Sequence, residues 1–219
     1  MVQIDDFEKW NEEMFKKYAT ASRIFHSSSI VRFITNQRIK KIIKILGYKE
    51  DESLVELGCG SGNILRNFKK GNVTGIELSE TGVKLAKKNC LNARIIKGDA
   101  QTINLDKKFD KIICSEVLEH LPDPSKVIDN IIRMSKKKSV IVISIPNERF
   151  VDFFRNLFIR SGLFSIFFKN CDQNMEWHLH KTGKKFFKKL VKEKLRIIKT
   201  KPSPFFFFPY DYIFKCRIM

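Results

Sequence analysis

The sequence predicts an α/β protein on a doubly wound, mostly parallel sheet, and three observations predict it. Short apolar runs alternate with amphipathic ones over roughly ninety residues, the pattern of a parallel sheet covered on both faces. Three glycines alternate in "VELGCGSGN" (Val55–Asn63), directly after the first short run, where a chain turns closely beneath a ligand. The unusual polar residues collect where the runs end, and open sheets of this kind bind ligands beyond the carboxyl ends of their strands.

The elements follow in order. Ile4, Phe7, Trp10, Met14 and Tyr18 fall at helical spacing, so the first twenty residues read as one amphipathic helix. A second helix runs from Ile30 to Leu46 and stops at Gly47. "SLVEL" is the first strand, and "GSGNILRNFKK" turns from it into a helix. "NVTGIEL" is the second strand, and Ser79 caps the helix of "SETGVKLAKKN". "ARIIKGDA" holds a third strand ending near Gly98, and "FDKIICSE" a fourth, followed by a helix containing "PSKVIDNIIRMS". "SVIVISIP" (Ser139–Pro146) is an apolar fifth strand. Beyond it the regularity breaks in a segment both apolar and basic, 147–182. Lys184–Leu195 is helical, and two final apolar runs around "PSPFFFFPYD" form a hairpin at the sheet edge.

Composition bounds the function. The chain has 219 residues, 43% of them hydrophobic, enough for one domain with a sizeable core. No apolar run reaches the length of a transmembrane helix, and the acidic, amphipathic start does not read as a signal peptide. Five cysteines without a C-x-x-C pair suit a reduced compartment, and the expected location is cytoplasmic. The net charge of +18 fits nucleic acid or anionic lipid, and equally a compositional bias toward lysine. Ten basic residues and a single acid lie between Lys181 and Lys201.

The glycine turn is not a P-loop, because no Lys-Ser or Lys-Thr follows it. A dinucleotide fingerprint needs a third glycine where Asn63 stands. Glu77 ends the second strand, where a carboxylate accepts two ribose hydroxyls, and Asp99 follows the third, suited to an exocyclic amine. Glu56 precedes the first glycine and can order the loop or meet an ammonium group.

Taken in order, "VELGCGSGN", "GIELSE", "GDA", "FDKIICSEVLEHL" and "ISIPN" resemble the class I S-adenosylmethionine-dependent methyltransferases, over about residues 51–147. The "EVLEHLPDP" stretch looks most like the methyltransferase type 11, ubiquinone-pathway O-methyltransferase group. The resemblance implies a Rossmann-like sheet of seven strands with an antiparallel last strand. It also implies an N-terminal helical cap over 1–48, a methyltransferase domain over 49–219, and a substrate-facing insertion at about 147–182. Gly58, Cys59, Gly60 and Gly62 would then surround the methionine part of the cofactor. Glu77 and Leu78 would hold the ribose and flank adenine, Asp99 and Ala100 would define the adenine end, and Ser115 and Glu116 would face the transfer point.

Methyl transfer from a sulfonium is an in-line displacement, so the protein mainly positions. Glu116, Glu119 and His120 are the candidate catalytic residues, expected on one helical face because spacings of three and four place them there. The same E-x-x-E-H pattern resembles that of the small-RNA 2′-O-methyltransferases, which implies a divalent ion such as Mg²⁺ on Glu116, Glu119, His120 and a later histidine, His178 or, foremost, His180 of "EWHLHKTG". The phenylalanine-rich "FVDFFRNLFIRSGLFSIFFKN" favours a small hydrophobic or lipid-like hydroxylated acceptor at a membrane periphery. An RNA 2′-O-methyltransferase and a non-catalytic cofactor-binding scaffold are the alternatives.

Overall fold

A computed structural model of the chain describes residues 6–19, 29–162 and 177–219. Thus Ile4, the side chain of Tyr18, Cys171 and most of the second half of the expected insertion lie outside the described residues.

In chain order the elements are α1 (Phe7–Met14), a π-helical turn (Phe15–Ala19), α2 (Ser29–Leu46), β1 (Ser53–Leu57), β2 (Asn72–Glu77), α3 (Glu80–Asn89), β3 (Ala93–Lys97) and β4 (Phe109–Ser115). Then come α4 (Pro124–Arg133), β5 (Ser135–Pro146), α5 (Glu148–Arg160), α6 (Lys184–Leu190), β6 (Leu195–Pro204) and β7 (Pro209–Ile218). The seven strands form one sheet in the order β3-β2-β1-β4-β5-β7-β6. β3, β2, β1, β4 and β5 are parallel, whereas β7 runs antiparallel to both β5 and β6. The strand order reverses between β1 and β4, so a crevice opens there beyond the strand ends.

Every residue of β1 is buried, as expected of a central strand covered on both faces. One core layer joins β1, β4 and β5 to α4 and α6, with Phe187 stacked on Phe214 at 4.0 Å. The other packs α2 and α3 against the opposite face through Ile42, Leu46, Val83 and Ile213. Caps set the helix starts: Ser79 Oγ accepts from Gly82 N at 3.0 Å, and Asp123 accepts from Ser125 N at 3.0 Å with Pro124 as the first helical residue.

Four expectations change. The helix expected in "GSGNILRNFKK" is only a short 3₁₀ turn, Leu65–Asn67. The Asn67 side chain donates to the carbonyls of Asn63 and Ile64, taking acceptors that a longer helix would use. The N-terminal helix is interrupted, α1 passing into the π turn. The fifth strand begins four residues earlier, at Ser135, where Ser139 Oγ bridges Lys136 N and Phe109 O across an irregular register. The helix from Lys184 ends at Leu190, and Leu195 opens β6 instead.

Candidate active site

The crevice holds a cavity of about 340 Å³, lined along its length by the ends of β2, β1 and β4 and covered by α1 and α2. Gly58, Gly60 and Gly62 all have positive φ, at 67°, 54° and 83°. Gly62 has no room for a side chain, because a Cβ there would collide with Cys90 Sγ. At Gly60 a Cβ would meet only Phe15, at 3.8 Å, so the loop backbone itself forms the cavity floor.

Glu77 organises this loop. Its Oε2 accepts from Gly60 N at 2.8 Å and its Oε1 from Ser79 N at 2.9 Å, which ties the turn after β1 to the turn after β2. Burial pushes its carboxyl up from the ordinary value, and these backbone bonds oppose that shift. Glu56 is buried with Oε2 lacking a hydrogen-bond partner, and burial followed by the charge of Glu77 pushes it well up. A cationic group in the cavity would satisfy it. Asp99 Oδ1 accepts from Gln101 N at 2.8 Å, which shapes the loop after β3. Leu78, Ala100, Cys59 and Ser115 also line the cavity. All ten expected cofactor-side residues lie on its walls or, for Gly62, in the turn that forms them.

The E-x-x-E-H segment differs from its expected geometry. Glu116 has φ +55°, so no helix starts there; Leu118–His120 is a single 3₁₀ turn, and α4 begins at Pro124. Glu116 turns to Arg38, with Oε2 3.0 Å from the guanidinium, while Oε1 accepts from Ser144 Oγ at 2.9 Å. The residues that meet are Glu119, His120 and His178, one ligand atom of each lying within 4.8 Å of the others. His180 is placed elsewhere, its Nε2–H donating to Leu121 O at 2.8 Å. Leu179 N donates to Glu119 O at 2.7 Å and lays residues 177–180 alongside this turn.

The donor set suits a cation. His120 Nδ1–H donates to Trp177 O at 3.0 Å, and His178 Nδ1 faces Glu148 Oε1 at 2.8 Å, so Nε2 of each ring is left for a ligand. Burial, aided by His178, pulls His120 down to about 3, so its imidazole is neutral, as a ligand must be. Burial and the charge of Glu116 push Glu119 well up, and its Oε2 has no hydrogen-bond partner. Trp177 stacks on His120 at 4.3 Å and meets Phe15 of the π turn edge-on at 6.4 Å.

Sequence reasoning missed Asn11, Phe15, Thr35, Arg38, Ile39 and Trp177, all on the cavity wall. A signal existed only for Arg38: it stands four residues from both Ile34 and Ile42, a charge on the buried stripe of α2. The others line the wall only because remote segments meet.

A seven-stranded sheet in this order, with a glycine turn after β1 and a carboxylate at the end of β2, defines the class I S-adenosylmethionine-dependent methyltransferase fold. Solved structures agree. Magnesium protoporphyrin IX methyltransferase from Synechocystis PCC 6803 with bound SAH matches with a TM-score of 0.70 at 14% identity, covering 98% of this chain and 100% of that one. The N-methyltransferase NodS from Bradyrhizobium japonicum WM9, complexed with S-adenosyl-L-homocysteine, matches with a TM-score of 0.66 at 15% identity, over 97% and 99%. The family described as Methyltransferase domain matches residues 48–195, and this chain belongs to it. Curated relatives include ubiquinone biosynthesis O-methyltransferases. That of Nitrosomonas europaea is 30% identical over 51% of this chain and 51% of its own length. That of Rickettsia bellii is 27% identical over 67% and 62%. The chain thus spans about half to three-fifths of the relatives it matches.

Proposed function

We propose that this protein transfers a methyl group from S-adenosylmethionine to a hydroxyl of a small, apolar acceptor. The observation that carries this reading is the shape of the crevice cavity: buried Glu56 with an unpartnered Oε2 and the Gly60 floor on the β1–β2 side, with Glu116 and His120 on the β4 side. When bound, the cofactor supplies a methyl group on a positively charged sulfur. Glu56 meets its ammonium group. Glu77 keeps the Gly60 loop in place and offers its remaining lone pairs to the ribose hydroxyls. Leu78 and Ala100 flank the adenine, and Asp99 accepts from its amine.

On the acceptor side, Ser115 and Glu116 border the transfer point, and the walls are apolar: Phe15, Ile39, Val117 and Trp177. Such walls exclude water and leave the acceptor little freedom, which is the larger part of this catalysis. Glu119, His120 and His178 would hold a divalent cation, oriented by Glu148 and the Trp177 carbonyl; the ion would lower the pKa of a hydroxyl beside it. Glu116 is the candidate group to take the hydroxyl proton.

Exposed aromatics support an acceptor delivered from a lipid surface. Phe206 and Phe207, at the β6–β7 turn, are 89% and 81% exposed, and Phe153 of α5 is 64% exposed. Phe150 and Phe154 of α5 pack on Phe208 of that turn at 4.8 and 5.1 Å, and Phe205 meets Phe33 of α2 at 5.8 Å. The aromatic surface therefore adjoins the helix whose next turn, Thr35 and Arg38, lines the cavity. Among the described residues no helix is long and apolar enough to cross a membrane, so contact would be peripheral.

The test is tritium transfer from labelled cofactor into fractionated cell extract, with and without Mg²⁺. Label in a lipid-soluble product, stimulated by Mg²⁺, is expected. Label that becomes soluble on nuclease treatment would favour RNA. The lysines of β6 have another account, since they blunt the open edge of the sheet.

A further inference from the structure

Three segments remote in sequence meet beside β4. Arg38, in the middle of α2, sends its guanidinium into the protein, 3.0 Å from Glu116 Oε2 and 3.3 Å from Asp211 Oδ2. Asp211 comes from β7, is fully buried, and pairs in register with Pro146 of β5 and Ser203 of β6. Glu116 directly follows β4 and is held from its other side by Ser144 Oγ, itself 2.8 Å from Ser115 Oγ.

The backbone alone does not favour this arrangement. Glu116 has φ +55°, a left-handed conformation that side-chain-bearing residues rarely adopt unless their surroundings impose it. Both of its carboxylate oxygens are clamped, and the clamps are the surroundings that impose it. Asp211 has no hydrogen-bond partner for either oxygen, so the ion pair is its compensation for burial. Two carboxylates thus share one guanidinium. Burial pushes Asp211 up to about 8 against the pull of Arg38, with the charge of Glu116 adding to the rise. Glu119 and Tyr210 also act on Arg38, both favouring its charged form.

We infer that Arg38 is a positioning residue for methyl transfer: braced on Asp211, it holds the Glu116 carboxylate at the β4 side of the cavity against an unfavourable backbone. The inference rests on the proposed methyltransferase reading, and it deepens that reading by tying α2 to the reaction. A guanidinium suits the task because its planar fork engages two carboxylates in a fixed geometry, which an ammonium does not.

The experiment compares wild type, Arg38→Met, Arg38→Lys and Glu116→Gln. It measures tritium transfer from labelled S-adenosylmethionine into cell lipid extract, and calorimetric binding of S-adenosylhomocysteine. Arg38→Met should lower turnover by about tenfold to hundredfold, the scale of a misplaced catalytic group. Its S-adenosylhomocysteine Kd should stay at the wild-type value. Arg38→Lys should recover part of the turnover, and adding Glu116→Gln to Arg38→Met should cost little more. Wild-type turnover in Arg38→Met, or a loss of cofactor affinity in step with turnover, overturns the inference. If Arg38→Met does not fold, Arg38→Lys decides it: reduced turnover with unchanged Kd supports, and wild-type turnover overturns. If wild type itself transfers no label, the functional reading fails separately. Crystal structures of wild type and an Arg38 variant then decide this point, since φ of residue 116 should relax to negative values and an unchanged Glu116 overturns it.

Discussion

The two sides of the cavity are built in different ways. On the β2–β3 side each wall residue follows directly from its own strand, and one carboxylate, Glu77, ties neighbouring turns together through backbone N–H groups. On the β4 side the walls come from α2, the turn after β4 and Trp177, and side chains remote in sequence brace them, Asp211 of β7 through Arg38 among them. The first side is local and set by backbone geometry, so it can hold one invariant ligand. The second depends on tertiary assembly, so it can be rebuilt for a different acceptor without disturbing the first.

Substitutions that separate the two sides sharpen this contrast. The largest effect is expected at Glu77→Ala, which removes two charge-assisted hydrogen bonds worth about 1.5–3 kcal/mol each. Affinity for S-adenosylhomocysteine should fall about a hundredfold or more by calorimetry while circular dichroism stays that of wild type. Equal binding would remove Glu77 from its assigned role. Next comes Glu148→Gln, which weakens the partner of His178. Mn²⁺ binding, followed by calorimetry, should weaken about tenfold to hundredfold with cofactor affinity unchanged. A parallel loss of cofactor affinity would show that the two sides are not separable.

A smaller effect is expected from Phe206→Ser combined with Phe207→Ser at the exposed turn. Co-sedimentation with anionic liposomes should drop about tenfold, from the lost apolar burial, with cofactor binding intact. Sedimentation like that of wild type would leave the turn without a lipid role.

The smallest effect concerns the cover. Glu12 of α1 accepts from Ser79 Oγ at 2.6 Å and Thr81 Oγ1 at 2.5 Å, fastening the helix over the cofactor side. Although burial works against them, these bonds lower its carboxyl from 4.5 to about 2. A folded-state value below the unfolded one means that the contribution is complete above 4.5 and is lost as pH falls towards 2. Glu12→Gln should destabilise the protein by about 1 kcal/mol near neutrality, read by urea unfolding, and the difference from wild type should shrink in acid. A constant difference across that range would place the stabilisation elsewhere.

The same contrast explains what the sequence made legible. The parallel strands themselves, the Ser79 cap, the glycine turn and the carboxylates at the ends of β1, β2 and β3 were readable because each depends on neighbours a few residues away. The spacing of Glu116, Glu119 and His120 suggested a helix face, but Glu116 adopts a left-handed φ imposed by Arg38 and Ser144, neither of them near it in sequence. His178 rather than His180 joins Glu119 and His120 because Leu179 is hydrogen-bonded to the Glu119 carbonyl, which fixes the register of that segment. Arg38 was hidden in plain view on an apolar stripe, and Asp211 in an apolar strand. A charge where the pattern demands an apolar residue marks a buried network, but only the fold reveals its partners.

Soaking a crystal with S-adenosylhomocysteine tests the central claim most directly. The account predicts density along the carboxyl ends of β1 and β2, with the ribose at Glu77, the amino group at Glu56 and the sulfur towards Glu116. A well-diffracting crystal whose cavity stays vacant at saturating ligand, or one that binds a nicotinamide dinucleotide there instead, would contradict it.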